Sequence, residues 1–493
     1  MPEEISYGRQ LTLLAGDDPG TTALVAVDPA GAERLVTWIE LERRANQMAR
    51  LLASRGVGQG GLVVVALVNS PEHFFATLGA WKLGATVLPM RWDLPPWERD
   101  RLLGLAGPAA VVGAWEDGPE GMVTAADVAS SAVLEDGPLP DRVADPARAI
   151  ATSGSTGSPK LIVTPGPGLV NTDPAMQATT QMGVRPKATQ LVISPLYHTN
   201  GFASLNGLMT GQTLVVMERF DAARAVDLIE RWHVNTAITV PTMLQRIAQL
   251  PDVATRDFSS IDSILYGGAP LAPWVVRVWL DLVGPTRFWF SYGGTESLGL
   301  TMARGDEWLG HEGTVGRPVG CEIRITDPDG NEVPAGTVGE IFMRRLDGAQ
   351  TFAYVGAATP RTTDDGFGTF GDMGWVDEDG YLFVADRRVD MVVTGGANVY
   401  PAEVELALSE HERVADVVVV GLPDEEWGHR VHAIVEPVDP DRAPTPDELR
   451  AYARERLAAY KVPKSYEIVE RVPRTAAGKV NRATLIAERA EER

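Results

Sequence analysis

Apolar runs of strand length alternate with helical patterns along the first two-thirds of this 493-residue chain. The run from Leu62 to Val68 predicts a buried strand, the stretch from Glu72 to Trp81 predicts a helix, and Thr86 to Met90 predicts another strand. The same alternation returns between residues 191 and 290. Because strands that alternate with helices favour helix-covered parallel sheets, the sequence predicts an α/β fold with two doubly wound parallel sheets.

The chain changes character in its last third. Between about 314 and 384, short apolar runs flank Asp329-Gly330 and Asp379-Gly380, dipeptides that are typical of hairpin turns. We therefore expect a small antiparallel, β-barrel-like subdomain there, followed by an α+β unit. These patterns predict a large N-terminal domain over residues 1–387 and a small α+β C-terminal domain over residues 388–493.

Composition excludes several classes of function. Asp plus Glu number 66 against 44 Lys plus Arg, and the formal charge of −22 argues against broad nucleic-acid binding, which depends on neutralising phosphates. The single cysteine, Cys321, excludes an intrachain disulfide and cysteine-rich zinc sites. The N-terminus lacks the apolar core of a signal peptide, and no run reaches the ~18 apolar residues of a membrane helix. We expect a cytoplasmic protein with no membrane span.

One segment reverses the acidic balance. Residues 450–489 carry ten basic side chains and four acidic ones. Taken alone, this excess favours a solvated helix face flanked by loops. The alternative is a domain that meets a small polyanion such as a nucleotide.

The most specific segment is rich in glycine and hydroxyl residues, and it reads Thr152-Ser153-Gly154-Ser155-Thr156-Gly157-Ser158-Pro159-Lys160. Small residues let backbone N–H groups close around phosphate oxygens, and Lys160 adds a positive charge. A flexible surface loop is the ordinary alternative, but buried-looking runs flank the segment on both sides. It is not a kinase-type P-loop, because Pro159 and Leu161 occupy positions where that motif has glycine and Ser/Thr.

This segment closely resembles the phosphate loop of the adenylate-forming superfamily, which includes acyl-CoA synthetases, peptide-synthetase adenylation domains and luciferases. Further resemblances follow in the order of that family along nearly the whole chain. They are Tyr292-Gly293-Gly294-Thr295-Glu296, Phe370-Gly371-Asp372-Met373-Gly374, Asp386-Arg387-Arg388-Val389-Asp390 with the loop Gly395 to Pro401, and Pro473 to Lys479. Chance resemblance of all these motifs in order is very improbable.

The resemblance implies roles for the large-domain residues. Tyr292 and Gly293 would lie against adenine, with Gly268 and Ala269 of the loop Gly267 to Pro270 beside adenine and the acid. Thr295 would bind a phosphate and Glu296 would bind Mg²⁺, a hard cation that usually keeps one or two protein carboxylates. Asp372 would accept hydrogen bonds from the ribose, and Arg387 would reach the ribose or a phosphate. Taken alone, each could be an ordinary core, turn or surface residue.

The resemblance also implies roles for the motifs around the acid and in the small domain. Lys479 would bridge the acid carboxylate and the α-phosphate, and His198, in Ser194 to Gly201, would lie beside the acyl group. Gly395 and Gly396 would approach the site in a second step. Many relatives carry Asp or Lys where this chain has Val389, so the pivot between the domains is placed less firmly than the chemistry.

These motifs predict an ATP- and Mg²⁺-dependent carboxylic acid–CoA ligase, with coenzyme A as co-substrate. The Phe-Asp pair of amino-acid-activating relatives is missing, which disfavours an amino acid as the substrate. The chain resembles ligases for fatty, bile-acid-like or terpenoid carboxylates, so the acid is expected to be fatty or polycyclic. Phe202, Met209 and Trp289 are candidates for its apolar wall, although such residues are more often part of the core. One alternative is an enzyme that loads an acyl or aryl acid onto a carrier protein; another is a non-enzymatic sensor that kept the fold. We expect small-molecule partners, no nucleic acid, and leave a homodimer open.

Overall fold

Two large mixed sheets, with helices between and around them, form most of the molecule in a computed structural model. The structure describes residues 4–152, 160–172, 186–348, 352–356, 361–387, 390–394, 397–424, 427–474 and 480–490.

The first large sheet has nine described strands, and its six central strands are parallel. Its strands are, in spatial order, Arg317–Pro318, Leu300–Arg304, Phe288–Gly293, Ser263–Gly267, Thr236–Thr239, Thr189–Val192, Thr213–Met217, Thr22–Val27 and Glu33–Thr37. The strands at both edges run antiparallel to their neighbours. The predicted parallel sheet is therefore confirmed at its centre, and hairpin-connected strands extend it at each edge.

The second large sheet has six described strands, four of them parallel. Its strands are, in spatial order, Ala353–Val355, Lys160–Thr164, Arg148–Thr152, Thr86–Pro89, Leu62–Ala66 and Ala110–Gly113. Val63, Val64 and Val65 are fully buried, which agrees with the continuous apolar run that predicted this strand. A small antiparallel pair, Glu4–Ser6 with Leu169–Asn171, lies apart from this sheet.

Helices cover both large sheets. The described α-helices are Tyr7–Asp17, Trp38–Ser54, Pro71–Lys82, Pro96–Ala106, Ala125–Ser130, Thr199–Phe202, Ser204–Met209, Ala222–Trp232, Pro241–Ala248, Pro273–Val283, Gly305–Gly310, Pro401–Ser409, Pro446–Arg454 and Arg482–Ala490, with 3-10 turns at Ser131–Val133, Val253–Thr255, Pro285–Arg287 and Pro440–Arg442. The helix Trp38–Ser54 begins where the Thr37 side chain accepts a hydrogen bond from the Glu40 amide, and Gly56 follows its end at φ +88°.

One apolar core lies between the two large sheets. It joins side chains of both sheets, such as Leu24 and Val65, to buried side chains of the helices Trp38–Ser54 and Pro71–Lys82. A second core covers the far face of the nine-stranded sheet, and a third covers the far face of the six-stranded sheet. The shared core holds the carboxyl ends of both sets of parallel strands in one region.

Two smaller sheets complete the fold. The first is antiparallel, with strands Cys321–Thr326, Gly339–Arg345, Gly368–Val376 and Leu382–Arg387. The second has strands Ala397–Val399, Val392–Thr394, Gly428–Pro437, Val414–Asp424 and Ser465–Ile468. We call the described residues from Asp390 onward the C-terminal unit, and its α+β character agrees with the sequence. The domain boundary after residue 387 stays a prediction.

Candidate active site

A cleft of about 2110 Å³ lies where the carboxyl ends of the parallel strands of both large sheets meet. Ligands of open α/β sheets bind at this edge, where the loops leave the strands. The small antiparallel sheet contributes Asp372 to the wall of the cleft, and the C-terminal unit contributes Arg474 and Asn481. Elements from all parts of the chain therefore meet around one cavity.

The glycine- and hydroxyl-rich segment connects two strands of a hairpin. Thr152 and Lys160 are register partners at the end of the antiparallel pair Arg148–Thr152 and Lys160–Thr164. Lys160 lines the cleft. Ser153, Gly154, Ser155, Thr156 and Gly157 lie outside the described residues, so their predicted phosphate contacts stay a prediction. The buried flanks of the segment, Ala149 and Leu161, agree with the expectation from sequence.

A tight turn follows the strand Phe288–Gly293 at the cleft. The Ser297 amide donates to the Gly294 carbonyl at 2.9 Å, and Ser297 has a φ of +53°, which is unusual for a residue other than glycine. A Cβ atom on Gly294 would lie 2.6 Å from Phe370 Cε1 and 2.8 Å from Glu296 Oε2. The turn therefore requires glycine at this position, and it directs both Thr295 and Glu296 into the cleft.

The Glu296 carboxylate is held by two other side chains at the cleft. The Tyr354 hydroxyl donates to Glu296 Oε1 at 2.5 Å, and Lys160 Nζ lies 3.8 Å from the same oxygen. The side chains of Lys160 and Glu296 are 19% and 16% exposed. Mg²⁺ takes oxygen ligands and usually one or two protein carboxylates, so Glu296 fits the predicted metal ligand. Among the described residues, no group of three or more His, Cys, Asp and Glu side chains could hold a metal ion.

Thr295 is fixed by a residue of the segment that carries His198. The hydroxyl oxygens of Thr295 and Thr199 lie 2.9 Å apart. The buried Asn69 holds the start of this segment, because its side chain donates to the Ser194 carbonyl and accepts from the Leu196 amide. His198 lines the cleft, with its ring 4.5 Å from that of Tyr197. The segment is thus placed by a side chain from the neighbouring sheet.

Asp372 and Tyr292 are bonded to one another. The Tyr292 hydroxyl donates to Asp372 Oδ2 at 2.8 Å, and the Tyr292 ring meets Phe370 edge to face at 6.0 Å. Asp372 lines the cleft and is paired through its backbone with Arg387 on the next strand. The structure therefore brings the predicted ribose and adenine residues together. The role of Arg387 stays a prediction, because the structure describes only the backbone of this residue.

The loop after the strand Ser263–Gly267 also lies at the cleft. Gly268 has a φ of +96°, and a Cβ atom there would meet nothing within 4 Å. Gly267 is closely packed, because its Cβ would lie 2.6 Å from Ser291 Oγ. Gly268 and Ala269 both line the cleft, as do Gly293 and Glu296. The small residues leave open space beside the backbone, as expected for a loop along a ligand.

The cleft wall beside His198 is shaped by buried and paired groups. Burial raises the pKa of Tyr197 to about 12, although Arg91 opposes the change. The Arg91 guanidinium donates two hydrogen bonds to Asp93 and lowers the pKa of that carboxyl. Tyr197 is therefore a neutral hydroxyl at pH 7. Phe202 and Met209 are buried in the core between the two large sheets rather than in the cleft wall, as an ordinary core role requires.

Ion pairs inside the C-terminal unit occupy much of its basic excess. Arg474 binds both oxygens of Asp416, at 2.6 and 2.8 Å, and Arg489 binds Glu467. Arg482 lies 2.7 Å from Glu405 and 3.4 Å from Asp390. These side chains are thus structural as well as basic. Lys479, Val389, Gly395 and Gly396 lie outside the described residues, and their roles stay predictions.

Sequence reasoning missed three residues that position the site. Tyr354 lies in no motif that the residues alone would single out, and Asn69 follows an ordinary buried strand. Thr199 directly follows His198 in the quoted motif, but nothing in the sequence connects it with Thr295, 96 positions later. Register and packing between distant strands bring these residues to the cleft.

Known proteins resemble this chain along most of its length. The family model described as AMP-binding enzyme matches residues 14–352, and that described as AMP-binding enzyme C-terminal domain matches residues 403–479. A fatty acid–acyl-carrier-protein ligase from Streptomyces coeruleorubidus is 32% identical, over 92% of this chain and 91% of the relative. A feruloyl-CoA synthase from Amycolatopsis sp is 33% identical, over 90% of this chain and 92% of the relative.

Solved structures extend the comparison to the fold. The o-succinylbenzoate CoA synthetase of Bacillus subtilis, in complex with its acyl-adenylate intermediate, superposes with a TM-score of 0.80 at 26% identity, covering 98% of each chain. The same enzyme in complex with ATP and a magnesium ion gives a TM-score of 0.80 over 98% of this chain and 100% of that one. Both family models and the architecture agree, and the chain belongs to the AMP-binding enzyme family.

Proposed function

We propose that the protein is an ATP- and Mg²⁺-dependent carboxylic acid–CoA ligase. The observation that carries this proposal is that residues from distant parts of the chain line the same cleft. Thr295 and Glu296 follow a strand of the nine-stranded sheet, and Asp372 lies in the small antiparallel sheet. Arg474 and Val480, the described residues on either side of the Lys479 segment, both line that cleft. One site can therefore bind a nucleoside triphosphate and receive a lysine from the C-terminal unit.

The chemistry of the first step explains why the cleft needs cations. An oxygen of the acid's carboxylate forms a bond to the α-phosphorus of ATP, and pyrophosphate leaves with the electrons of the broken P–O bond. The carboxylate is already ionised at neutral pH, so no general base is required. Because two anionic groups approach each other, preorganised positive charge dominates the stabilisation. We assign this role to Lys479 and Lys160, and the bound Mg²⁺ supplies further charge neutralisation.

The second step transfers the acyl group. The sulfur of CoA forms a bond to the acyl carbon, AMP leaves, and the thiol proton passes to solvent. We propose that the C-terminal unit repositions between the steps and brings Gly395 and Gly396 toward the cleft. Glycine at these positions would leave room for a thin pantetheine arm beside the backbone.

A fatty or polycyclic acid is the substrate class that we propose. The relatives bear the names of fatty-acid, feruloyl and o-succinylbenzoate enzymes, all of which act on carboxylic acids. The open space at Gly268 leaves room for a bulky acyl group beside the loop. A bile-acid-like or terpenoid acid is the finer form of this proposal.

The second candidate is transfer to a carrier protein instead of CoA. The Streptomyces coeruleorubidus relative is named for that acceptor, whereas the Amycolatopsis relative is named for CoA. A pyrophosphate-release screen over aliphatic, aromatic and polycyclic acids tests adenylation, and each active acid is then offered CoA or a phosphopantetheinylated carrier protein. We expect acyl-CoA. Thioester on the carrier alone would favour the second candidate, and no acid-dependent pyrophosphate would reject both in favour of a sensor.

Three further expectations remain part of the proposal. The domain division at residues 387 and 388, a cytoplasmic location and a homodimer are each predictions from the sequence. Within the described parts of the chain, the helices are too short or too polar to traverse a bilayer. Light scattering would decide between monomer and dimer.

A further inference from the structure

Tyr354 contacts two of the charged side chains that line the cleft, those of Glu296 and Lys160. Its hydroxyl donates to Glu296 Oε1 at 2.5 Å, and its ring lies beneath Lys160, whose Nζ is 3.7 Å from the ring centroid. Lys160 Nζ and Glu296 Oε1 are 3.8 Å apart. One tyrosine thus contacts both the acid and the base through different parts of its side chain.

The backbone fixes Tyr354 relative to Lys160. The strand Ala353–Val355 pairs antiparallel with Lys160–Thr164, with Tyr354 opposite Ile162. Gly356 then packs on the helix Pro96–Ala106, because a Cβ atom there would lie 2.7 Å from Leu105 Cδ1. The ring of Phe352 lies 4.9 Å from that of Tyr354. The hydroxyl therefore reaches Glu296 from a rigid strand.

The spacing of the three side chains determines what each can bind. A hydrogen bond from a hydroxyl to a carboxylate is charge-assisted and stronger than one between neutral groups. It engages Oε1 of Glu296, while the ring face attracts the Lys160 ammonium by a cation–π interaction. At 3.8 Å, the Lys160 ammonium and the Glu296 carboxylate form a long ion pair, and without the hydroxyl we expect this pair to shorten. A shorter pair would neutralise more completely the two groups that a metal–triphosphate complex needs.

We propose that Tyr354 is a positioning residue, which holds Glu296 and Lys160 apart so that the carboxylate can serve the metal and the ammonium can serve the phosphates. This role rests on the proposed function and extends it to a residue outside the sequence motifs. Tyr354 acts through its neighbours: its hydroxyl orients the carboxylate, and its ring supports the ammonium.

The test separates the hydroxyl from the ring by measuring ATP binding calorimetrically without any acid. Tyr354→Phe removes only the hydroxyl, so we expect the Kd of ATP in saturating Mg²⁺ to rise about tenfold, the size of one lost hydrogen bond to a charged group. The Mg²⁺ concentration for half-maximal ATP binding should rise as well. Tyr354→Leu also removes the ring, and should weaken ATP binding both with and without Mg²⁺.

The matched control is a tyrosine–glutamate hydrogen bond elsewhere in the protein. The Tyr381 hydroxyl donates to Glu307 Oε1 at 3.0 Å, and neither residue lines the cleft. Tyr381→Phe removes the same kind of bond, so it should leave the Kd of ATP and the Mg²⁺ titration unchanged. An equal effect of Tyr381→Phe and Tyr354→Phe would reduce Tyr354 to a general contributor to stability and overturn the proposal.

A double-mutant cycle decides whether Tyr354 acts through Glu296. In a Glu296→Gln background, Tyr354→Phe should change the Kd of ATP less than twofold. An undiminished effect in that background would refute the proposed route through Glu296. Because no acid is present, these measurements are independent of the reaction. If pyrophosphate release fails for every acid while the cycle behaves as expected, the proposed function falls and the positioning role stands.

Discussion

The two sides of the cleft hold their charged side chains in different ways. On the large-domain side, Glu296 and Asp372 accept hydrogen bonds from Tyr354 and Tyr292, and each bond joins residues that are far apart in the chain. On the side of the C-terminal unit, Arg474 and Arg482 bind acidic groups of that same unit. The charged residues of the first side are therefore held by contacts between distant elements, whereas those of the second side find their partners within the C-terminal unit.

Hydrogen bonds and an apolar contact connect the two sides at their junction. The Ala402 amide donates to Asp386 at 2.7 Å, the Trp274 amide donates to Glu410 at 3.2 Å, and Leu406 packs against the core of the nine-stranded sheet. Burial, followed by the like-charged Arg471 across the junction, lowers the pKa of Arg246. The C-terminal unit has its own core and its own ion pairs, which is compatible with the change of position that we propose for it.

The largest expected effect comes from the C-terminal unit. Lys479→Ala should reduce acid-dependent pyrophosphate release by about 10²–10³, the usual loss for one preorganised transition-state donor. Thioester formation from a pre-made acyl-adenylate should be largely retained, since that step does not need this lysine. The control is Arg450→Ala, which removes a half-buried cation that is paired with Asp447 and lies outside the cleft. Adenylation near the wild-type rate would remove Lys479 from the reaction.

The next effect belongs to the large-domain side. Asp372→Asn should raise the Kd of ATP by about 10–100-fold, because the charged acceptor that we propose for the ribose becomes a neutral amide. The ratio between the Kd values of 2′-deoxyATP and ATP should shrink in this variant. Tyr292→Phe tests the bond between the two residues and should cost less. An unchanged ratio in Asp372→Asn would place the ribose elsewhere.

The fold was predictable where a periodic pattern reports on burial. The helix predicted at Glu72 to Trp81 occurs with one more residue at each end, and the strand predicted from Leu62 ends two residues earlier than expected. Both elements form because their apolar spacing matches one buried surface. The antiparallel edge strands were not predicted, since short runs carry no signal for the direction of their neighbours.

The site was predictable in its motifs and not in their connections. Tyr354 meets Glu296 from 58 positions away, and this contact depends on which strands pair. The basic segment at residues 450–489 also shows that contacts between distant residues were not predictable. Its Arg474 and Arg482 meet Asp416 and Glu405, which precede residue 450 and do not enter a local charge count. A local count records charges, whereas only the fold records their partners.

Each unit contains a buried histidine that should make its stability depend on pH. Burial lowers the pKa of His73, in the core of the large domain, to about 3, and burial also lowers the pKa of His432 in the C-terminal unit. Below the ordinary pKa of about 6.5, the unfolded chain binds a proton that folded His73 excludes, so stability falls as pH falls. At pH 5 this residue should cost about 2 kcal/mol relative to pH 7.

The measurement is the midpoint of denaturant unfolding at pH 7 and pH 5. His73→Gln should reduce the loss of large-domain stability between pH 7 and pH 5. His432→Gln should instead reduce the pH dependence of the stability of the C-terminal unit. The assignment of the acid sensitivity to His73 would be wrong if the pH dependence of the large-domain transition were the same in His73→Gln and the wild type.

The smallest expected effect tests the junction itself. Glu410→Ala removes the acceptor of the Trp274 amide, a surface hydrogen bond worth about 1 kcal/mol or less. Because Arg474 and Asn481 line the cleft in the present arrangement, weaker docking should slow adenylation by about two- to fivefold. Thioester formation from a pre-made acyl-adenylate should not slow, since that step uses another arrangement. Glu412→Ala, on an exposed residue two positions along, is the control. If both half-reactions slowed equally, Glu410 would support the fold of the C-terminal unit rather than its docking, and the two sides of the cleft would be coupled more tightly than their contacts indicate.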